Sequence, residues 1–351
     1  MAQAAPQKPT RLNTEHIAQE ILRGIDRERE REIIARRFGL FDRRETLEQI
    51  GEILGITRER VRQLEKSVVA RLKAQAEAGE LTQGKTVEET LLTHLRDHGT
   101  VARVQEVSAA VTAENSRTDQ SRVAFLAMLC PQLVVLEDDD RYFHAIGIKE
   151  VRDAAALQAD VSKIVTAVEK AGKPASIADI AKSAGIEDTK QAAALASVSK
   201  KLATLNGHWG LVKWPTVNPK NIRDKIYVIL KENGKHMHFN DIAESIKKSD
   251  FKRKDVTTQA IHNELIKDKR FVLIGRGIYA LKEWGYKKGT VADIISQVLR
   301  EAGEPLHRDE IVQRVLKSRF VKETTILLNL QGKAQFKRVA KATYELDETH
   351  A

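Results

Sequence analysis

The sequence predicts a mainly α-helical protein with small β-hairpins, in which one helix-turn-helix domain is followed by tandem winged-helix domains. Three observations lead to this fold class: a helix-turn-helix spacing near the N-terminus, four copies of a helix–glycine–helix pattern, and a strand-like stretch ending each copy. The chain has 351 residues, enough for several small domains. Hydrophobic residues make up 42% and aromatic residues 5%, so packed cores are expected and they should be aliphatic.

The segment TLEQIGEILGITRERVRQLE, residues 46–65, has the spacing of a helix-turn-helix. Gly51 is expected to be small because two helices cross there. Gly55 suits the tight turn, which needs a positive φ. Val61 and Leu64 are apolar because they hold the second helix against the first.

The second helix of this motif is predicted to begin after Thr57 as N-cap and to run to about Lys73. Its apolar residues recur at helical spacing and form one buried stripe: Val61, Leu64, Val68 and Leu72. The polar residues off that stripe are predicted to bind DNA: Thr57, Arg58, Glu59, Arg60, Arg62, Gln63 and Lys66. In a major groove, Arg pairs with guanine, Glu accepts from cytosine and Gln pairs with adenine. The alternative is an ordinary solvated charged face.

Four glycines mark an internal repeat: Gly99, Gly172, Gly234 and Gly303. Each has an apolar residue eight positions before it and another eight positions after it, and the second is always preceded by Asp or Glu. The pattern predicts a helix with the glycine as its C-cap, a short connection, and a second helix with an acid in its first turn.

Each repeat ends in a stretch typical of a β-hairpin, which completes the winged-helix plan. Asn206-Gly207 is a hairpin-turn signal, and the spacing Phe271, Tyr279, Leu281 recurs as Phe336, Tyr344, Leu346. Short linkers separate the repeats, including residues 149–160. The predicted domains are 12–79, 86–148, 160–214, 222–286 and 290–347.

The charge balance points to nucleic acid as a partner. The chain carries 59 Lys and Arg against 49 Asp and Glu, a net charge of +10, and most of the excess lies within residues 213–286. Basic residues just before the third helix of that repeat are predicted to contact DNA phosphates: Lys247, Lys248, Lys252, Arg253 and Lys254. The alternative is a solvated Lys-rich surface. The acidic run 137–140 is expected to be a solvated turn.

Several function classes are excluded. The single cysteine, Cys130, excludes a disulfide framework and a multi-Cys zinc finger, and no phosphate-binding loop motif is present. No nucleophile–base arrangement is visible, so the chain is expected to be a binder without a cofactor. His94 and His98 lack the carboxylate motif that would complete a metal site. No apolar run reaches about 18 residues and no signal core begins the chain, so a cytoplasmic protein outside the membrane is expected.

A family resemblance follows from two motifs. EREREIIARRFGLF followed by TLEQIGEILGITRERVRQLEKSVVARLK resembles region 4 of primary bacterial sigma factors, over roughly residues 12–75. The resemblance implies that Arg58, Glu59 and Gln63 contact the −35 promoter element with Arg62 beside them. It places Thr57 and Arg60 at phosphates or the groove edge. It also implies binding to the flap of the β subunit of core RNA polymerase.

A second resemblance covers residues 222–286. IYVILKENGKHMHFNDIAESI with GRGIYALKEWGY is similar to the HARE-type winged helix, known from the RNA polymerase delta subunit and from chromatin and restriction proteins. Residues 290–347 resemble a degenerate copy. Tyr279 and Trp284 are expected to be core aromatics.

Together these features predict a sequence-specific DNA-binding regulator that acts with bacterial RNA polymerase and is nucleoid-associated. Sigma factors also melt DNA with an upstream cluster of exposed aromatic residues. In this chain, residues 1–45 contain no Trp and no Tyr, and their only Phe residues are Phe38 and Phe41. The chain is therefore expected not to open promoters alone. The alternatives are a divergent sigma factor, a delta-like polymerase-associated protein, and the DNA-binding component of a restriction or chromatin-like system.

Overall fold

The computed structural model describes residues 11–81, 83–251 and 255–347. The chain forms two compact units, unit 1 (Met1–Lys213) and unit 2 (Trp214–Ala351). Within the described ranges the chain is mainly helical, with four small antiparallel sheets of three strands each. The predicted fold class is confirmed in these terms.

The N-terminal part of unit 1 is helical. Its helices are α1 (Thr14–Arg23), α2 (Glu28–Phe38), α3 (Leu47–Leu54) and α4 (Arg58–Glu77). Helix α3 begins at a reciprocal capping box between Thr46 and Gln49. Helix α4 begins after Thr57, whose hydroxyl accepts from the Arg60 backbone N–H at 3.2 Å, and it runs four residues beyond the expected end at Lys73.

Four repeats follow with one shared order of elements: helix, strand, helix, helix, strand, strand. The first is α5 (Gly84–Asp97), β1 (Val101–Arg103), α6 (Val104–Val111), α7 (Arg117–Leu129), β2 (Leu133–Leu136) and β3 (Ala145–Ile148). The second is α8 (Ala154–Ala171), β4 (Ala175–Ser176), α9 (Ile177–Ala184), α10 (Thr189–Val198), β5 (Leu202–Leu205) and β6 (His208–Leu211).

Unit 2 holds the other two repeats. The third is α11 (Ile222–Asn233), β7 (Met237–His238), α12 (Phe239–Lys248), α13 (Thr258–Lys267), β8 (Phe271–Gly275) and β9 (Ile278–Leu281). The fourth is α14 (Val291–Ala302), β10 (Leu306–His307), α15 (Arg308–Leu316), α16 (Glu323–Gly332), β11 (Phe336–Ala340) and β12 (Thr343–Leu346). In all four sheets the last strand lies in the middle, between the strand before the second helix and the first hairpin strand.

The glycine-anchored repeat corresponds to this architecture. The apolar residues eight positions before and after the four glycines are at most 2% exposed: Leu91, Val107, Ile164, Ile180, Ile226, Ile242, Ile295 and Ile311. Gly172, Gly234 and Gly303 are left-handed C-caps with φ of +63°, +67° and +68°. Gly99 is not, because α5 is capped by His98 and the glycine follows with φ +90°.

The hairpins form in the expected register. Phe271 pairs with Leu281 and Phe336 with Leu346, and Asn206-Gly207 has positive φ at both residues. The short strand before each second helix was missed, because two or three residues carry too little alternation to register as a strand. The proposed linker 149–160 was too long, since α8 begins at Ala154 after the N-cap Asp153.

The first repeat shares a hydrophobic core with helices α1, α2 and α4. Leu12 donates its backbone N–H to the Val111 carbonyl at 2.7 Å. The Phe38 and Phe125 rings lie 4.9 Å apart. Val68 is 1% exposed in the same cluster. Helix α7 is therefore a structural support for the N-terminal helices.

The second repeat packs on the first through the connection between β2 and β3. The Phe143 backbone N–H donates to Val198 O at 2.9 Å. The ammonium of Lys200 bonds the Asp138 carboxylate and donates to the Asp139 carbonyl. The acidic run 137–140 is exposed, as expected of a solvated turn, and Asp138 and Asp139 also contact Lys200 within unit 1.

In unit 2, the connection between α15 and α16 packs along strand β8 of the third repeat. The Phe320 backbone N–H donates to the Ile274 carbonyl at 3.0 Å. The Arg319 guanidinium donates to the Leu273 carbonyl. The Phe320 ring also lies 4.5 Å from the His236 ring. These contacts join the third and fourth repeats along that strand.

Candidate nucleic-acid interface

The turn between α3 and α4 is fixed by two glycines. A Cβ on Gly51 would lie 2.6 Å from the Ile56 carbonyl oxygen, which no real side chain tolerates. Gly55 caps α3 with φ +64°. Both glycines were predicted, and the nearest obstacles at Gly51 are the Ile56 carbonyl of the turn and, at 3.5 Å, the backbone nitrogen of Arg58 at the start of α4.

One face of α4 is buried along its length. Val61 is fully buried against Ile33 of α2 and Ile50 of α3. Val68 and Leu72 enter the larger core of unit 1, and Leu64 is partly buried. This packing fixes the rotation of α4, so its first turns present one defined face outward.

The predicted DNA-binding residues of α4 share that outward face. Every one of them is exposed: Thr57, Arg58, Glu59, Arg60, Arg62, Gln63 and Lys66. The spacing of the stripe therefore located the exposed surface correctly. Whether these side chains bind DNA is a separate matter that remains a prediction.

The outward face holds a hydrogen-bonded set of side chains centred on Glu59. Arg62 donates to both carboxylate oxygens of Glu59, at 2.8 Å from Nε and 2.7 Å from Nη2, and Gln63 donates to it at 3.3 Å. The Arg62 hydrogen bonds hold the pKa of Glu59 at about 2. Glu59 is therefore an anion at neutral pH. Because exposed ion pairs are weak, Arg62 and Glu59 are able to exchange this pairing for other partners.

Arg58 is held from outside its own helix. Its Nη1 lies 2.6 Å from Glu48 Oε1 in the first turn of α3, and both side chains are mostly exposed. The role of Glu48 was not predicted, because a partner ten positions away across a turn leaves no periodic signal in the sequence. The contact orients the guanidinium at the N-terminal end of α4.

Two short segments of the matched sequence pattern, RFGL (residues 37–40) and RQLE (residues 62–65), are in contact in the structure. Arg37 Nε lies 3.3 Å from Glu65 Oε2, so the first element is tied to the second. Gly39 ends α2 with φ +62°. The carbonyl of fully buried Leu40 accepts from Arg122 Nε at 2.6 Å. These contacts connect α2 with α4 and with α7.

The second predicted basic cluster is only partly described. Lys247 and Lys248 form the last turn of α12, and both are exposed. Lys248 Nζ lies 2.6 Å from Glu244 Oε1. Lys252, Arg253 and Lys254 fall outside the described residues.

Aromatic and histidine side chains occupy packing positions. Tyr279 is 2% exposed. Trp284 packs on a small apolar cluster beside β8 and β9, as expected for a core aromatic. The His94 and His98 rings stack at 4.1 Å, and burial lowers the pKa of His94.

Over the described ranges, no three His, Cys, Asp or Glu side chains lie close enough together to hold a metal ion. No helix among the same residues is long and apolar enough to cross a membrane.

Comparison with known proteins places a family segment on these helices. Residues 27–74 match the family profile of Sigma-70, region 4. A 56-residue segment is 46% identical to the RNA polymerase sigma factor sigB of Arabidopsis thaliana. That alignment covers 16% of this chain and 10% of the relative. These matches support a sigma-like DNA-binding role in transcription for this segment.

Proposed function

We propose that this protein is a sequence-specific DNA-binding regulator of transcription that acts with bacterial RNA polymerase, and that α4 reads promoter DNA of the −35 type in the major groove. The observation that carries the proposal is the exposed Arg58, Glu59, Gln63 face, set opposite a buried stripe within the matched segment. Arg and Gln present bidentate donors suited to guanine and adenine, and ionised Glu59 accepts from cytosine.

A binding comparison tests this role. Arg58→Ala and Gln63→Ala should each cost on the order of 1–3 kcal/mol on a −35-type duplex and relax specificity at one base pair. Arg96→Ala, which removes an exposed arginine from α5, is the matched control and should bind as the parent does. If both α4 variants retain the parent's preference for the specific duplex over a scrambled one, α4 does not read bases.

The matched segment also supports a polymerase partner. Sigma region 4 in general implies contact with RNA polymerase, and we propose the flap of the β subunit as its site. Helices α2 and α4, linked by Arg37 and Glu65, give a rigid pair for such docking. Capture of the protein by core polymerase, abolished by deletion of the flap, is the expected result. Equal capture without the flap would place the contact elsewhere.

The four repeats are proposed to be winged helices, with the third and fourth of the HARE type. Their order of elements supports this, since each combines three helices with a three-stranded sheet whose last two strands form a hairpin. We propose the α12 end of the third repeat as a less specific DNA contact. Lys247→Ala with Lys248→Ala should then reduce the salt dependence of binding, because fewer phosphates are neutralised and fewer counterions are released.

A divergent sigma factor is the second candidate, favoured by the sigma factor relative. Permanganate footprinting with core polymerase and this protein separates the two. The regulator role predicts no reactive thymines near the start site without another sigma factor. Reactive thymines under those conditions would support the sigma role.

The regulator role also implies a cytoplasmic, nucleoid-associated protein. Fluorescence imaging of the tagged protein together with a chromosomal DNA stain tests this, because the two signals should overlap.

A further inference from the structure

Charge is divided unequally between the two units. Unit 1 contains 32 Lys and Arg against 31 Asp and Glu, so it is nearly neutral. Unit 2 contains 27 Lys and Arg against 18 Asp and Glu, and so carries +9 of the total of +10. The non-specific electrostatic attraction to a polyanion should therefore come chiefly from unit 2.

The hairpins of the four repeats differ in charge. The first carries the acidic run 137–140, and the second has no Lys, Arg, Asp or Glu within residues 202–211. The third has one charged residue within 271–281, Arg276. The fourth carries Lys337, Arg338 and Lys341 against a single Glu345. Three cations on one short hairpin distinguish the fourth repeat from the others.

The fourth hairpin is anchored at one side and open at the other. Phe336 and Tyr344 are 6% and 7% exposed and hold the strands to the core. The three cations are exposed. The strands shift register between Arg338 and Ala340, so one extra residue, Val339, bulges there and is 43% exposed. A bulge increases the local twist of a strand and redirects its side chains.

Two of the three cations, Lys337 and Arg338, make only weak contacts within the protein. Lys337 Nζ lies 3.7 Å from Glu345 Oε1, and the lysine side chain is 65% exposed. Arg338 Nε donates to the Ala340 carbonyl at 3.2 Å, which orients the guanidinium without neutralising it. Exposed ion pairs of this kind are weak, so both cations remain available to an external anion.

The third helix of the same repeat is poorly suited to bind DNA. The only charged side chain of α16 is Glu323, in its first turn, and Leu328 on its surface is 68% exposed. The exposed N-cap Lys322 offsets Glu323, so this helix offers phosphate an apolar surface and no net positive charge. If this repeat contacts DNA, the hairpin is the surface with the matching charge.

We propose that the β11–β12 hairpin binds the phosphate backbone of duplex DNA through Lys337, Arg338 and Lys341. This inference rests on the proposed function, since it adds a backbone contact to a protein whose specificity comes from α4. The contact is sequence-independent, because phosphate contacts fix position and carry no base information.

The test uses the full chain and measures the slope of log affinity against log salt. Replacing Lys337, Arg338 and Lys341 by Ala should lower the slope by about 0.9 for each phosphate that is no longer neutralised. If all three bind phosphate, raising salt from 50 to 200 mM weakens the parent about 40-fold more than the variant. The specific and scrambled duplexes should lose affinity by the same factor. A second variant, with Gln at the same three positions, keeps polar side chains on the hairpin. It should lower the slope of log affinity against log salt by the same amount as the Ala variant.

The control removes the same charge from elsewhere in unit 2, by Ala at Lys220, Lys235 and Lys269, which are exposed. It should alter the slope less than the hairpin variant does. A parental slope in the hairpin variants, or an equal change in the control, would overturn the proposal. Arg58→Ala, measured in parallel, separates the proposed base reading by α4 from the proposed phosphate contact of the hairpin. If Arg58→Ala loses specificity while the hairpin variants keep the parental slope, the hairpin contact is refuted and base reading by α4 is not.

Discussion

Arg122→Met tests whether α7 of the first repeat supports the DNA-binding helices. The guanidinium of Arg122 lies inside unit 1 and bonds the Leu40 carbonyl at 2.6 Å, Asp119 at 3.4 Å and Glu15 at 3.0 Å. Methionine keeps most of the buried stem and removes the guanidinium. The substitution therefore separates the polar contacts from the packing of the side chain.

The loss of stability depends on whether each hydrogen-bond partner of Arg122 keeps another partner or reaches solvent after the substitution. Leu40 is fully buried, so its carbonyl is left without a donor, which costs about 1–3 kcal/mol. Asp119 keeps hydrogen bonds from Ser116 and Thr14, so it is not stranded. Glu15 is 55% exposed, and such a pair contributes about 1 kcal/mol at most. The free energy of unfolding of unit 1 should fall by about 1–4 kcal/mol.

Urea denaturation followed by circular dichroism measures this destabilisation. With a slope of about 2–3 kcal/mol per M, the midpoint of the unit 1 transition should move down by about 0.3–2 M. Arg96→Met, at an exposed position of α5, is the control and should change stability by less than about 0.5 kcal/mol. Equal midpoints for the two variants would refute the role assigned to Arg122 and to the shared core.

Two further predictions concern the turn and two half-buried histidines, His94 and His144. Gly51→Ala should destabilise the helix-turn-helix by about 1–3 kcal/mol, because its Cβ would meet the Ile56 carbonyl. Gly332→Ala, at a position with open space around it, is the control and should leave stability unchanged or raise it slightly. Thermal denaturation of both variants measures the difference. Burial lowers the pKa of both His94 and His144, so the unfolded state binds more protons below the ordinary histidine value of about 6.5. Unit 1 should therefore lose stability as pH falls from about 7 to about 5.5, and replacing both histidines by Gln should flatten that dependence. An unchanged profile in the double variant would contradict this assignment.

Much of the architecture could be predicted because it depends on local patterns. The residues flanking Gly172, Gly234 and Gly303 set both a helix end and two buried positions, so spacing alone located them. The exposed face of α4 followed from the Val61 and Val68 stripe for the same reason. Strands of two residues such as β7 carry no comparable pattern, so they went unrecognised.

Contacts between segments far apart in the chain could not be predicted from the sequence. Arg58 meets Glu48 across a turn, and Arg122 reaches Leu40 from 82 residues away, so neither pair has a periodic signature. The contact of Asp138 with Lys200 could not be predicted, because Lys200 belongs to another repeat. Such pairs become visible only when the packing of whole repeats is known.

Assembly of this protein with core RNA polymerase on DNA tests the central proposal most directly. Core polymerase should capture the protein, and a promoter fragment with a −35-type element should increase that capture over a scrambled fragment. Arg58→Ala should abolish the increase without reducing capture in the absence of DNA, since that residue is assigned to base contact. No capture with either fragment, or an increase that Arg58→Ala leaves intact, would contradict a regulator that joins polymerase to promoter DNA through α4.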